Sequence, residues 1–289
     1  MLLNPISPFL LCAIVGIIGL LVGSFLNVLI YRLPIMMRRD WRNECADYLQ
    51  LELDDIDNIE KPFNLVLPLS RCSQCKTPIK PYQNVPVISY VLLRGRCGQC
   101  RHPISIRYPA IEVLTMVLSI AVAWHLGYSL QTVFALLLTW ALIALSFIDV
   151  DQQLLPDSIT LPMLWLGLLL SVFNIFIDAP TSIIGACAGY LILWLVYHLF
   201  KLATGKEGMG YGDFKLLALF GAWLGWQTLP MIILLSSLVG AIIGTAMIIF
   251  GNRDRNTPIP FGPYLAAAGW IALLWGKPIN QLYLNIVGL

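Results

Sequence analysis

Residues 130–157 read LQTVFALLLTWALIALSFIDVDQQLLPD, an apolar run without charge that ends in three acidic residues. A helix needs roughly 20 apolar residues to cross the hydrocarbon core of a bilayer, and residues 130–148 supply that length. The rest of the chain has the same character, since 58% of its 289 residues are hydrophobic and only 12% are charged. Soluble domains of this size carry about twice that share of charge. The sequence therefore predicts an all-α membrane protein.

Further apolar runs predict about eight transmembrane helices, an even number that leaves both termini on one side of the membrane. Five runs are long and free of charge. Three others are shorter, contain a charged residue or are rich in Gly and Ala. The clear runs are residues 9–31, 130–148, 159–177, 182–200 and 229–250, and the weaker ones are 110–124, 214–226 and 261–275.

The distribution of Lys and Arg predicts the orientation. Residues 32–107 hold 12 of the 18 basic residues, and an eight-helix arrangement places 17 of the 18 on the side of that loop, with Lys277 opposite. The positive-inside rule then puts the loop in the cytoplasm and both termini outside. The expected organisation is a first transmembrane helix at 1–31, a cytoplasmic loop at 32–109 and about seven helices at 110–289. The net charge of +2 is too small to indicate nucleic acid as a partner.

Two C-x-x-C motifs in the cytoplasmic loop predict a zinc site. Each motif supplies two thiolates from a tight turn, and four thiolates close a tetrahedral Zn²⁺ site of the structural kind. The alternative is disulfides or free thiols, which a reducing cytoplasm makes less favourable than zinc. The motifs are Cys72-Ser-Gln-Cys75 and Cys97-Gly-Gln-Cys100, which resemble a zinc ribbon.

Acidic residues at two helix ends are the candidate catalytic groups. Asp149 adjoins a long apolar helix, where an ionisable group is costly and is a functional candidate by default. Asp213 follows Gly210 and Gly212, which allow close approaches at the start of a helix, and Lys215 lies two residues further on. The eight-helix topology brings both acids to one leaflet. Two carboxylates that share a site can act as acid and base on a peptide bond, without a metal or a nucleophilic side chain.

Several other polar residues have two interpretations each. Asp157 suits a helix N-cap better than chemistry, and Asp151 is explained by solvation. Ser24 and Asn27 either line a polar cavity or bond a neighbouring helix. Glu112 is a functional intramembrane acid or an interfacial residue, and Gly95 allows a cofactor to approach or simply forms a turn.

These motifs, in this order, resemble the type IV prepilin peptidase family over nearly the whole chain. The resemblance rests on Gly23-Ser24-Phe25-Leu26-Asn27-Val28, Arg32-Leu33-Pro34, the paired cysteine motifs, Arg107-Tyr108-Pro109 with Glu112, residues 149–157, residues 210–215, and Pro260-Phe261-Gly262-Pro263.

The resemblance implies an intramembrane aspartic protease of the bacterial inner membrane. Such an enzyme removes the short basic leader of prepilins and pseudopilins at the cytoplasmic face, then methylates the new N-terminus with S-adenosylmethionine. The catalytic aspartates map onto Asp149 and Asp213, within the 110–289 peptidase domain, and the zinc ligands map onto the four motif cysteines. Gly210, Gly212 and Lys215 are expected to support the aspartates.

The cofactor site is not assigned by the resemblance, and Gly95 and Glu112 are weak candidates for it. Lipid surrounds the chain in this interpretation. A secondary transporter with intramembrane acids is the main alternative, and a zinc-loop scaffold without catalysis is the third. A transporter is expected to hold its acids near the midplane of the bilayer rather than at helix ends.

Overall fold

The computed structural model describes residues 7–51, 63–250 and 260–287, which form nine α-helices and no β-strand. The all-α prediction is therefore confirmed for this part of the chain. The helices are α1 (Pro8–Leu49), α2 (Ile88–Leu92), α3 (Arg107–Leu126), α4 (Leu130–Gln152), α5 (Asp157–Val172), α6 (Ala179–Thr204), α7 (Tyr211–Leu224), α8 (Leu229–Phe250) and α9 (Gly262–Val287).

Five helical segments in the described residues are long and apolar enough to cross a membrane: α1, α3, α4, α6 and Trp226–Met247. Two of the predicted spans correspond to shorter helices. The 16-residue α5 ends at Val172, and the 14-residue α7 ends at Leu224 because Gly225 adopts a φ of +85° that breaks the helix. The chain is thus a membrane protein with several spanning helices.

The first helix is much longer than its predicted membrane span, which ended at residue 31. It begins after Ser7, whose hydroxyl caps the Leu10 N–H, and it runs for 42 residues through Pro34. At 1.5 Å per residue its length is about 63 Å, roughly twice the thickness of a bilayer core. Its C-terminal part therefore extends beyond the membrane and carries basic residues. Lys61, Arg253 and Arg255, which also entered the orientation argument, lie outside the described residues.

The chain divides into two compact units, Met1–Trp124 and His125–Leu289. In the first unit, α1 approaches α3 closely through glycines. A Cβ at Gly23 would lie 2.7 Å from the Cα of Glu112, and one at Gly19 would lie 2.9 Å from the Cα of Met116. The buried Arg32 donates from Nη1 to the Asn64 carbonyl at 2.8 Å and from Nη2 to the Pro68 carbonyl. These hydrogen bonds fix the start of the loop to α1.

The second unit is built around α7, whose residues from Asp213 to Trp223 are buried except for the half-buried Lys215. The approach of α6 to α7 requires glycine on both helices, because a Cβ at Gly221 would lie 2.0 Å from the Gly185 carbonyl oxygen. Trp223 anchors the end of α7 by donating its indole N–H to the Met163 carbonyl at 2.8 Å. The surrounding helices thus hold the first turn of α7, and with it Asp213, in a fixed position.

Candidate active site and metal centre

Asp149 lies three residues before the end of α4 and is only 6% exposed. The helix ends because Gln153 adopts a left-handed conformation, with its N–H donating to the Asp149 carbonyl at 2.8 Å. The side chain of Asp149 accepts a hydrogen bond from the Gly262 N–H, at 3.0 Å from Oδ2. A backbone donor at the start of α9 therefore orients this carboxylate.

Asp213 lies in the first turn of α7 and is 7% exposed. Its N–H donates to the Gly210 carbonyl at 3.2 Å, which fixes the turn that carries the side chain. Gly212 has a steric reason to be glycine, since a Cβ there would lie 2.8 Å from the Cβ of Leu155. Gly210 has open space and a φ of −88°, so neither crowding nor backbone strain demands glycine there.

The two buried carboxyl groups lie near the same side chain, that of Leu155. A Cβ at Gly212, next to Asp213, would lie 2.8 Å from the Leu155 Cβ, and a Cβ at Gly262, whose N–H binds Asp149, would lie 3.2 Å from the Leu155 Cδ2. Like charges that are close together and poorly solvated do not readily ionise together, so such a pair holds one proton between its members. The structure thus brings together two acids that are far apart in the sequence.

Asp157 does not cap α5, so that prediction is wrong. Pro156 occupies the N-cap position and Asp157 is the first residue of the helix. Its carboxylate instead binds Lys215, whose Nζ lies 2.7 Å from both carboxylate oxygens. Lys215, two positions after Asp213, therefore joins α7 to α5 by an ion pair. Asp151 is exposed on the last turn of α4.

The four motif cysteines converge, with their sulfur atoms all within 4.8 Å of one another. The two motifs have matching backbone structure. Each is flanked by an isolated β-bridge, Arg71 to Pro78 in one and Arg96 to Pro103 in the other. Residues 76 and 101 have a φ of 57° and 59°, which completes the turn after each second cysteine. The chain therefore forms two equivalent turns that face each other.

The cysteine cluster fits a tetrahedral metal ion. Cys72 Sγ and Cys100 Sγ are 3.7 Å apart. Zinc–sulfur bonds of about 2.3 Å in a tetrahedron separate the sulfur atoms by about 3.8 Å. All seven cysteines are free thiols, and hydrogen bonds from the side chain and backbone of Thr77 lower the pKa of the Cys75 thiol to about 6. The backbone of His102 lowers the pKa of the Cys100 thiol, but burial and the neighbouring thiols raise it to about 11 overall. A bound cation would therefore be needed to hold all four sulfur atoms as thiolates at neutral pH.

The polar residues of the first unit bind across α1 and α3. Asn27 donates from Nδ2 to the Tyr108 carbonyl at 3.1 Å, and Ser24 lies close enough to Glu112 for its hydroxyl to interact with that carboxyl group. These contacts favour the helix-bonding interpretation of both residues. Glu112 is 8% exposed and also accepts a hydrogen bond from the Val87 N–H at 2.8 Å.

Gly95 has a local structural reason to be glycine. Its φ is +66°, and a Cβ there would lie 2.9 Å from the hydroxyl of Tyr90. Its N–H donates to the Tyr90 carbonyl, and its carbonyl accepts from the Ile104 N–H, both at 2.8 Å. These contacts connect α2 to the second cysteine motif. They support the turn-forming interpretation.

Gly262 and Val87 contact candidate site residues, although sequence patterns assigned no role to either. Neither Gly262 nor Val87 uses its own side chain, since each donates a backbone N–H to the carboxylate of its partner. Gly262 lies in the Pro-Phe-Gly-Pro motif, and that motif was the one feature of the sequence that could have indicated its importance. Val87 belongs to no motif, so no sequence pattern indicated its contact with Glu112.

Comparison with known proteins identifies the family. The bacterial peptidase A24 N-terminal domain matches residues 17–126, and the type IV leader peptidase family matches residues 136–245. The chain is 56% identical to the prepilin leader peptidase/N-methyltransferase of Stutzerimonas stutzeri over 286 residues, which cover 99% of this chain and 97% of that protein. The chain belongs to the type IV leader peptidase family.

Other relatives in the leader peptidase family carry the same name. The Pseudomonas aeruginosa protein is 55% identical over 99% of this chain and 96% of its own length. The Legionella pneumophila protein is 48% identical over 96% of each chain. No solved structure matches this family member. The transporter alternative is not favoured, because the likeness covers the whole chain and both aspartates lie at helix ends.

Proposed function

We propose that this member of the type IV leader peptidase family is a prepilin leader peptidase and N-methyltransferase. The observation that carries the proposal is identity above 50% over nearly the whole chain to relatives with that name. Its substrates are prepilins and type II secretion pseudopilins, which carry a short basic leader. Their cleavage exposes the N-terminal amine that is then methylated.

The peptidase reaction is assigned to Asp149 and Asp213. One carboxylate removes a proton from water, which attacks the peptide carbonyl, while the other carboxyl group protonates the developing oxyanion. Proton transfer to the leaving nitrogen then breaks the C–N bond. The burial of both groups and their common neighbour, Leu155, support the sharing of one proton at the start of this cycle.

Neighbouring residues position the two aspartates. The Gly262 N–H occupies one oxygen of Asp149, so the other oxygen is directed to the reaction. Gly212 lets the first turn of α7 approach Leu155. Gly210 supplies the carbonyl that holds Asp213, and Lys215 neutralises Asp157, whose charge would otherwise act on the dyad.

Zinc is assigned to Cys72, Cys75, Cys97 and Cys100. Four thiolates leave a tetrahedral ion no open position, so its chemistry is structural rather than catalytic. The convergence of the four sulfur atoms supports this assignment. The ion would hold the two turns of the loop together, where the chain has little apolar core of its own.

S-adenosylmethionine is the expected methyl donor, because it supplies an electrophilic methyl group for an amine. Gly95 and Glu112 are the candidate residues for its binding. The backbone groups of Gly95 are already used in the loop, which makes Glu112 the stronger candidate. Both belong to the unit that also contains the cysteine cluster.

In the proposed topology, eight helices cross the bacterial inner membrane. These are the five long apolar segments described above together with the shorter helices α5 and α7 and the 26-residue α9. The loop at 32–109 and both aspartates then face the cytoplasm, and both termini face outward. The leader is cleaved at the cytoplasmic face in this arrangement.

The experiment that tests the function uses the purified full-length protein, a prepilin and S-adenosylmethionine. Mass spectrometry of the product separates the two reactions, because leader removal and methylation give different mass changes. Both changes are expected. A substrate that stays intact contradicts the peptidase assignment, and a cleaved but unmethylated product contradicts the methyltransferase assignment.

A further inference from the structure

Glu112 is a buried carboxylate that the peptidase mechanism does not use. It lies on α3, is 8% exposed, and accepts a hydrogen bond from the Val87 N–H at 2.8 Å. In the described residues, its hydrogen-bond donor is a neutral backbone group, and no ion pair is formed with it. Its negative charge therefore has no positive partner among them.

The contact with Val87 explains why residue 112 has a hydrogen-bond acceptor, but it does not explain why that acceptor is a carboxylate. Val87 has a φ of 58°, which is unusual for a β-branched residue, and the turn around it is closed by the Ile88 N–H and the Pro86 carbonyl at 2.5 Å. The side-chain oxygen of Glu112 holds this turn. A glutamine has the same length and offers the same acceptor without the large desolvation cost of a buried charge. The carboxylate must therefore have another use.

A buried carboxylate whose protein partners are neutral is suited to bind a cation. We propose that Glu112 binds an ammonium group of one of the two substrates of the methylation reaction. The proposal rests on the methyltransferase function, and it assigns a role to Glu112 within that function. An ammonium group completes the hydrogen bonds of the carboxylate and compensates its charge at the same time.

Two molecules in this reaction carry an ammonium group. Peptide cleavage releases the α-amine of the mature pilin, which must be held in place before it is methylated. S-adenosylmethionine has an α-ammonium group on its methionine part. Both present the same chemistry to a carboxylate, so binding experiments with each molecule must separate them.

The experiment measures binding to the full-length protein in detergent. The first probe is a fluorescent peptide with the sequence of a mature pilin N-terminus, used with a free or an acetylated α-amine. The second is S-adenosylmethionine in equilibrium dialysis. The variants are Glu112→Gln, which keeps an acceptor for Val87, and Glu112→Ala, which removes it. Glu207→Gln, at an exposed ion pair with Lys201, is the matched control for loss of one negative charge.

We expect the wild-type protein to bind the free-amine peptide at least about tenfold more tightly than its acetylated form, as for a charged hydrogen bond. Glu112→Gln should lose this preference, whereas Glu207→Gln should keep it. If Glu112→Gln instead weakens the binding of S-adenosylmethionine about tenfold, the ammonium group is that of the cofactor. Zinc content and prepilin cleavage report whether each variant is folded.

Two results would overturn the proposal. If Glu112→Gln binds both probes normally, the role of Glu112 is only to anchor Val87. Loss of zinc in Glu112→Ala would support that structural role. The same conclusion follows if the wild-type protein binds both peptides equally and Glu112→Gln leaves its cofactor binding unaffected. Neither result affects the proposed function, which fails separately if the wild-type protein does not methylate the free-amine peptide.

Discussion

The Gly262 N–H and the carboxylate of Asp149 are joined by a hydrogen bond of 3.0 Å, although the two residues are 113 positions apart. This contact fixes one oxygen of a proposed catalytic residue with a backbone group, which cannot rotate away as a side chain can. The absence of a Cβ at Gly262 makes the contact possible, because a Cβ would lie 2.7 Å from Asp149 Oδ2.

Gly262→Ala should therefore impair cleavage by displacing the Asp149 carboxylate. A misplacement of about 1 Å at a reacting group can reduce the rate about 10²-fold. The measurement is the initial rate of prepilin cleavage. Gly276→Ala on the same helix is the control, because its nearest neighbour, Thr228, lies 3.7 Å from the position of the new Cβ. Equal rates for the two variants would show that Gly262 does not position the aspartate.

Lys215 and Asp157 should behave as one ion pair outside the reacting groups. Their side chains are 28% and 54% exposed, so solvent weakens their attraction. We expect Asp157→Asn and Lys215→Gln each to reduce cleavage by less than about tenfold, with no further loss in the double variant. A loss as large as that of a catalytic aspartate in either single variant would place that residue in the reaction itself.

Sequence reasoning selected Asp149 and Asp213 as candidates because an acid at the end of an apolar helix is rare, and the structure buries both side chains. The same reasoning assigned Asp157 wrongly because capping preferences describe neighbours in the sequence, whereas the actual partner, Lys215, is 58 residues away. The length of α1 was underestimated for a related reason. Hydropathy marks where the membrane ends at Arg32, but a helix of charged residues can continue into water.

Gly262 shows a second limit of the sequence. Its contribution is a backbone N–H, and every residue except proline has one, so no side-chain pattern reveals it. The four cysteines are the opposite case. Their spacing alone predicted a cluster, and their sulfur atoms do converge. Side chains with distinctive chemistry were therefore predictable, while contacts that depend on packing between distant helices were not.

Removal of one motif cysteine should release the metal. We expect about one zinc per chain in the wild-type protein and much less in Cys72→Ser or Cys97→Ser, because three thiolates hold the ion more weakly than four. Elemental analysis of the purified protein measures this. Cys45→Ser and Cys187→Ser, at exposed cysteines elsewhere, should keep the metal. Methylation should fall more than cleavage, since the cysteine cluster and the aspartates belong to different units.

Chemical labelling should confirm the proposed orientation. Cys45 lies on the part of α1 that extends beyond the membrane span, so it should react with an impermeant maleimide in inside-out vesicles but not in intact cells. Tyr128→Cys provides the reverse case, because Tyr128 is exposed between α3 and α4. It should be labelled in intact cells. Labelling of Cys45 from the outside would reverse the topology and place both aspartates on the other face.

The aspartate pair should show strong non-additivity. General acid or base catalysis contributes about 10² to 10⁴ in rate, and groups that act as a unit lose most of it when either is removed. Asp149→Asn and Asp213→Asn should each abolish most prepilin cleavage, and the double variant should lose little more. Asp151→Asn is the matched control, because it removes the same charge from an exposed position two residues further along α4.

Methylation of an already cleaved peptide separates a chemical effect of these substitutions from misfolding. Both single variants should retain it, since the reaction is assigned to the other unit. Near-normal cleavage by Asp149→Asn together with loss in Asp151→Asn would mean that the first catalytic aspartate is Asp151. Activity in all the single variants would exclude a mechanism based on an aspartate pair, because neither carboxylate alone can serve as both acid and base in one step.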